Sequence, residues 1–167
     1  LAGTNNYLGL TFNENVKRSM IEAVETLGSA TTGSRQANGT YGDHAKLEQD
    51  LKAFFEMQSA IVFTTGYQTN LGAISALAGK DDHSLIDADS HACIYDACRL
   101  TDASTHRFRH NDPENLNKRL QRLPERGGRL VVVEGMYSMF GDIAPLAEIV
   151  EVAHANDAMV FVDEAHS

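Results

Sequence analysis

The sequence predicts an α/β domain in which a mostly parallel sheet carries helices on both faces. Three observations lead to that expectation. Short β-rich runs, Ala60–Phe63, Leu85–Ala88, Thr105–Arg109, Leu130–Glu134 and Met159–Asp163, alternate with stretches of helical apolar period. Two prolines, Pro113 and Pro145, stand where helices should begin. Most of the strand-like runs end in polar residues able to do chemistry, as the carboxyl edge of an open α/β sheet requires.

Taken in order, Asn13 can cap a first helix whose apolar residues Val16, Met20, Val24 and Leu27 follow the helical period, and Gly28 can stop it. A loop with Gly33, Gly39 and Gly42 suits tight backbone or close ligand approach, and leads into a second period at Leu47, Leu51, Phe54 and Phe55. The run Ala60–Phe63 passes through Thr64-Thr65-Gly66-Tyr67-Gln68 into a helix reaching Leu77. Leu85–Ala88 delivers Asp89-Ser90-His91, with His91 opening a helix to Leu100. Thr105–Arg109 precedes a helix over Asp112–Leu123, and Leu130–Glu134 ends in Gly135-Met136-Tyr137-Ser138-Met139. A helix over Leu146–Ala153 then leads to Met159–Asp163, which ends in Glu164-Ala165-His166-Ser167. Two parts are expected: residues 1–32 as an amino-terminal segment and linking helix, and residues 33–167 as the sheet domain. With no initiator Met at Leu1 and a strand just before Ser167, both ends are expected to be cut.

Composition narrows the function. The chain has 167 residues, 43% of them hydrophobic, enough for one sizeable core. A formal charge of -9 opposes nucleic-acid binding, which draws its energy from Lys and Arg neutralising phosphates. No apolar run approaches the roughly 18 to 20 residues needed to cross a bilayer. Cys93 and Cys98, five apart in a helix, point different ways, so reduced thiols and a cytoplasmic location are expected.

The strand ends suggest a single site. Gly66 and Tyr67 begin a helix, where free N–H groups and the helix dipole can hold a phosphate, although a plainly capped helix would look the same. His91 can stack on a planar cofactor or sit at a helix start as a surface residue. Asp87, Asp89 and His91 also suit a divalent metal, but alternate strand positions face opposite sides, and no metal is expected. Ser138 places a small hydroxyl near the same edge. Asp163 at the tip of an apolar strand is costly to bury without a cation, and a protonated pyridine nitrogen would be one. Asp163-Glu164-Ala165-His166 also spells the acidic motif of DEAH-type helicases, yet no Gly-x-x-x-x-Gly-Lys-Ser/Thr loop stands upstream. The expectation is that Asp163, His166, His91, Ser138 and the Gly66 and Tyr67 amides converge on one pocket.

Together these residues resemble the α-oxoamine synthase family of fold-type I pyridoxal-phosphate (PLP) enzymes. The likeness is carried in order by Asn5-Asn6-Tyr7-Leu8-Gly9-Leu10, Gly33-Ser34-Arg35, Asn38-Gly39-Thr40, Thr65-Gly66-Tyr67-Gln68-Thr69-Asn70, Asp89-Ser90-His91-Ala92, Arg107-Phe108-Arg109-His110-Asn111-Asp112, Glu134 to Asp142, and Asp163 to Ser167. The resemblance implies the three-layer large domain of that fold type and an acyl transfer from an acyl-CoA to an amino acid, with loss of CoA and CO2. It implies that Asp163 pairs with the ring nitrogen and that His166 and Ser138 bond the ring oxygen. His91 would stack on the ring face, Gly66 and Tyr67 would hold the phosphate, and Asn5 and Tyr7 would lie near the substrate. Asn38-Gly39-Thr40, Asp87-Ala88-Asp89-Ser90-His91 and Asp142-Ile143-Ala144-Pro145-Leu146 resemble the branch that joins L-serine to palmitoyl-CoA. Branches using alanine or glycine with pimeloyl, acetyl or succinyl thioesters share most of these motifs, and a non-catalytic paralogue remains the alternative of another class. A homodimer is implied. The family's Schiff-base lysine stands roughly thirty residues past the Asp-x-x-His segment, so it is expected outside this chain. Lys17, Lys46, Lys52, Lys80 and Lys118 all lack the Ser/Thr-x-x-Lys context.

Overall fold

The computed structural model describes residues 3–167. The chain forms two compact units, the first ending at Val62 and the second running Phe63–Ser167.

In the first unit, helix α1 spans Glu14–Leu27 and helix α2 spans Gly42–Phe54. Asn13 caps α1 by accepting the N–H groups of Asn15 and Val16, and Gly28 ends it at φ 87°. The apolar stripe of α1 is between 41 and 66% exposed at Val16, Met20, Val24 and Leu27. The glycine loop folds tightly on itself: Gly39 N–H donates to the Ser34 carbonyl at 2.9 Å, and a side chain at Gly39 would overlap the Gly33 carbonyl. Arg35 secures the loop, donating to Thr40 Oγ1 at 3.0 Å, to the Val62 carbonyl at 3.0 Å and to Glu48 Oε1 at 2.8 Å.

No strand forms over residues 60–63, against the expectation from their β-rich composition. A strand needs a ladder partner for its backbone groups. At Val62 side chains take that place: Glu48 accepts its N–H at 2.9 Å and Arg35 binds its carbonyl.

The second unit contains the sheet. Its elements are α3 (Gly66–Leu77), β1 (His83–Asp87), α4 (Ala92–Arg99), β2 (Ser104–Phe108), α5 (Pro113–Leu120), β3 (Arg129–Glu134), α6 (Leu146–Ala155) and β4 (Met159–Asp163). All pairings are parallel, in the order β2-β1-β3-β4. Strand alternation divides the core into two layers. Leu85, Val131 and Val133 face one way and pack with Leu116 and Leu120 of α5 and Ile149 and Ala153 of α6. Their strand neighbours Ile86, Leu130 and Val132 face the other way, against Ile74 of α3 and Ile94, Ala97 and Cys98 of α4. The sheet is thus covered on both faces, as expected. Because the chain leaves β1 in one direction for β2 and then crosses back to β3, the strand order switches between β1 and β3, where a crevice opens at the carboxyl edge.

The opposite edge is fastened by the turn before β3. Asp82 accepts the Gly128 N–H at 2.7 Å and the Gly79 N–H at 2.9 Å, and these two bonds hold its carboxyl below the ordinary value. Gly127 sits at φ 90°, and a Cβ there would overlap the Asp81 carbonyl oxygen. Gly127→Ala is expected to destabilise the protein by about 2 kcal/mol, checked by urea unfolding against wild type.

Candidate active site

At the switch point lies a cavity of about 90 Å³ lined by Gly66, Tyr67, Asn70, His91, Cys93, Glu134, Asp163, Ala165 and His166. A neighbouring hollow of about 250 Å³ shares Gly66, Asn70, Asp163 and Ala165 with it. Four elements build this site. Helix α3 presents its first turn: Thr65 accepts the Gln68 N–H at 3.1 Å, while the N–H groups of Gly66 and Tyr67 have no intrahelical acceptor by geometry. A Cβ added at Gly66 would meet nothing within 4 Å, so that backbone opens onto free space. The Tyr67 hydroxyl donates to Asp96, which also binds Arg99 at 2.7 Å.

His91 caps α4, its Nδ1 accepting the Cys93 N–H at 3.2 Å. That atom therefore carries no proton, and the ring N–H belongs on Nε2. The His91 backbone N–H donates to Glu134, a carboxylate that is 2% exposed and whose titration burial pushes up. Asp163, at the tip of β4, accepts the Ala165 N–H on Oδ1 at 2.9 Å and an Asn70 amide proton on Oδ2 at 2.6 Å. Cys93 is buried beside it, its Sγ 3.0 Å from Asn70 Nδ2 and 2.8 Å from His91 Nδ1. Burial pushes the Cys93 thiol up, so it stays protonated.

The structure brings together Gly66, Tyr67, His91, Asp163 and His166, five of the residues expected at one pocket. Ser138 is not among the lining residues. It is exposed on the loop after β3, whose root is tied to β4 where Gly135 N–H donates to the Asp163 carbonyl at 2.9 Å. Asn5 and Tyr7 belong to the first unit, where the Tyr7 hydroxyl donates to Asn5 at 3.3 Å. No lysine lines the cavity among the described residues.

Three lining residues escaped the reading of strand ends: Asn70, Cys93 and Glu134. Asn70 is on the second turn of a helix, and only its 3% exposure, unusual for an amide, marks it. A second polar group lies beyond the cavity. Asp87, fully buried at the end of β1, accepts from His110 Nδ1 at 2.8 Å and from the Asn111 N–H at 2.9 Å, while His110 Nε2 lies 2.6 Å from Asp142 Oδ2. Asp87 is thus committed to His110 rather than to His91.

The donor set suggests the ligand. A helix N-terminus with open space beside Gly66 suits an anion, a strand-tip carboxylate suits a cationic N–H, and neighbouring imidazoles suit a planar ring.

Comparison with known proteins agrees. A serine palmitoyltransferase of Caulobacter vibrioides is 56% identical over 168 residues, covering 100% of this chain and 42% of that protein. An 8-amino-7-oxononanoate synthase of Symbiobacterium thermophilum is 41% identical over 98% of this chain and 42% of its own length. The solved structure of a Sphingomonas paucimobilis serine palmitoyltransferase with a bound PLP–myriocin aldimine superposes with a TM-score of 0.95 at 56% identity, over 97% of this chain and 41% of that one. This chain therefore spans about two fifths of the relatives it matches. The aminotransferase class I and II family matches residues 2–167, and the chain belongs to that family.

Proposed function

We propose that the protein carrying this chain is a PLP-dependent C-acyltransferase that condenses L-serine with palmitoyl-CoA, releasing CoA and CO2 and giving 3-oxosphinganine, the first step of sphingolipid synthesis. The observation that carries the reading is the 56% identity to serine palmitoyltransferase along the whole chain, against 41% to 8-amino-7-oxononanoate synthase.

The residues present fit PLP. When bound, PLP supplies the conjugated ring that accepts electron density from the α-carbon of the amino acid. Asp163 holds the proton on the ring nitrogen, its carboxylate kept in place by Asn70 and the Ala165 N–H. His91 would cover one face of the ring and His166 would donate to its oxygen, joined by Ser138 once the exposed loop after β3 is drawn to the cofactor. The Gly66 and Tyr67 N–H groups bind the phosphate at the α3 N-terminus. Asn5 and Tyr7 contact substrate, and the Schiff-base lysine comes from outside this chain. The enzyme is a cytoplasmic homodimer; no helix among the described residues is long and apolar enough to cross a membrane.

The test is an assay panel on the full-length protein, pairing serine, alanine or glycine with palmitoyl, pimeloyl, acetyl or succinyl thioesters. The expected result is CoA release with serine and palmitoyl-CoA at least about tenfold faster than with any other pair. Faster release with alanine and a pimeloyl thioester would overturn the substrate assignment, and absence of a PLP absorbance band would overturn the cofactor. Light scattering of the same preparation should report a dimer.

A further inference from the structure

The cavity has two walls of different chemistry, the Asp163 carboxylate and the His91 imidazole, and one side chain stands between them. Asn70 is 3% exposed on α3 and spends its amide group on both sides. Its Nδ2 donates to Asp163 Oδ2 at 2.6 Å and lies 3.0 Å from Cys93 Sγ, which in turn lies 2.8 Å from His91 Nδ1. The proton directions are consistent along this line. An amide nitrogen has two hydrogens, one for each acceptor; the thiol accepts one and turns its own hydrogen to the unprotonated Nδ1, whose lone pair it shares with the Cys93 N–H. With Oδ1 held by the Ala165 N–H, both oxygens of Asp163 are fixed.

We propose that Asn70 is a positioning residue that, through Cys93, holds the Asp163 carboxylate and the His91 ring in one mutual orientation across the cavity. The inference rests on the functional reading above for its effect on turnover, but the link itself belongs to the protein without cofactor. The donor character of Asn70 is what matters, and an isosteric change removes it. Asn70→Asp keeps the volume yet sets a carboxylate against Asp163 at hydrogen-bond distance. Two carboxylates so placed cannot both ionise freely, and the pair takes up a proton at higher pH than Asp163 alone. The other titratable groups facing Asp163 are Tyr67 of α3, His91 and Cys93 at the start of α4, Glu134 of β3, and His166 after β4. None of them is altered by the substitution.

The experiment compares full-length wild type with Asn70→Asp, Asn70→Ala and Cys93→Ser, with folding followed by far-ultraviolet circular dichroism. In the holoenzyme, Asn70→Asp should lower kcat about a hundredfold at pH 7 and add an acid limb, with activity recovering as pH rises through the apparent pKa of the pair. Asn70→Ala should lower kcat about tenfold without that limb, and Cys93→Ser, which keeps a donor and an acceptor, should stay within about twofold of wild type. A wild-type pH profile for Asn70→Asp would overturn the proposal, as would a Cys93→Ser loss as deep as that of Asn70→Ala. In the cofactor-free protein, carboxyl 13C titration of Asp163 reads the link directly. A shift to higher pH in Asn70→Asp supports it even if wild type takes up no PLP, an outcome that refutes the functional reading alone. An unshifted titration in a PLP-binding protein overturns the link alone.

Discussion

Asp163→Asn in the full-length enzyme should lower turnover by about a hundred- to five-thousandfold while PLP remains bound. The magnitude comes from the cost of breaking a partly buried charge pair, about 3–5 kcal/mol, at 1.36 kcal/mol per factor of ten. The carboxylate has two acceptor oxygens, and the protein already donates to each, from Asn70 to Oδ2 and from Ala165 to Oδ1. An asparagine has only one acceptor oxygen, so its amide nitrogen must face one of those donors and that bond is lost. It also carries no charge to hold a proton on the ring nitrogen. The Gly66 and Tyr67 N–H groups proposed to hold the phosphate at the α3 N-terminus are untouched, which is why binding should survive. Steady-state kinetics with serine and palmitoyl-CoA, together with PLP absorbance, measure both effects. Turnover within a few-fold of wild type would give Asp163 a different role.

Much of this site is legible in the sequence because the chemistry stands where the hydrophobic pattern stops. Leu85 and Ile86, and Val131 and Val132, each mark a strand buried on both faces, Val160 and Phe161 mark a half-buried strand at the sheet edge, and the polar residues after them must emerge at one edge. That reasoning reaches His91, Asp163 and His166. It does not reach Asn70 or Cys93, which sit within helical periods and differ from core residues only through partners distant in sequence, 93 residues away for the bond from Asn70 to Asp163. Ser138 is a different case. Its position after β3 suggests the pocket, but the loop turns back through Tyr137 N–H to the Asp142 carbonyl and Gly141 N–H to the Tyr137 carbonyl, leaving Ser138 exposed. The run over residues 60–63 has strand composition, and composition cannot report that the side chains of Glu48 and Arg35 occupy its backbone groups.

The largest stability effect outside the cavity is expected at His110. Its two ring nitrogens lie 2.8 Å from Asp87 and 2.6 Å from Asp142, and its ring meets the buried Tyr137 edge-on at 4.5 Å between centroids. A neutral imidazole has one N–H, so donating to both carboxylates requires the imidazolium. Burial alone would push His110 down, but its bonds to Asp87 and Asp142 outweigh that and hold it above the ordinary histidine value. The same contact with His110 holds the Asp142 carboxyl below its ordinary value. Since the folded value of His110 is raised, its stabilisation is present in full below the unfolded value of about 6.5 and is lost as pH climbs through the folded value. His110→Gln leaves a single donor nitrogen in place of two and no charge beside the fully buried Asp87. Because His110 is 23% exposed, the cost should fall at or below the lower end of the range for a broken buried pair, about 2–3 kcal/mol at pH 6. Urea unfolding of wild type and His110→Gln between pH 6 and 9 tests both statements. Wild type should lose stability across the upper part of that range while the variant holds a flatter profile, so the two curves converge as pH rises. Parallel curves would mean that His110 packs between the two carboxylates without carrying charge.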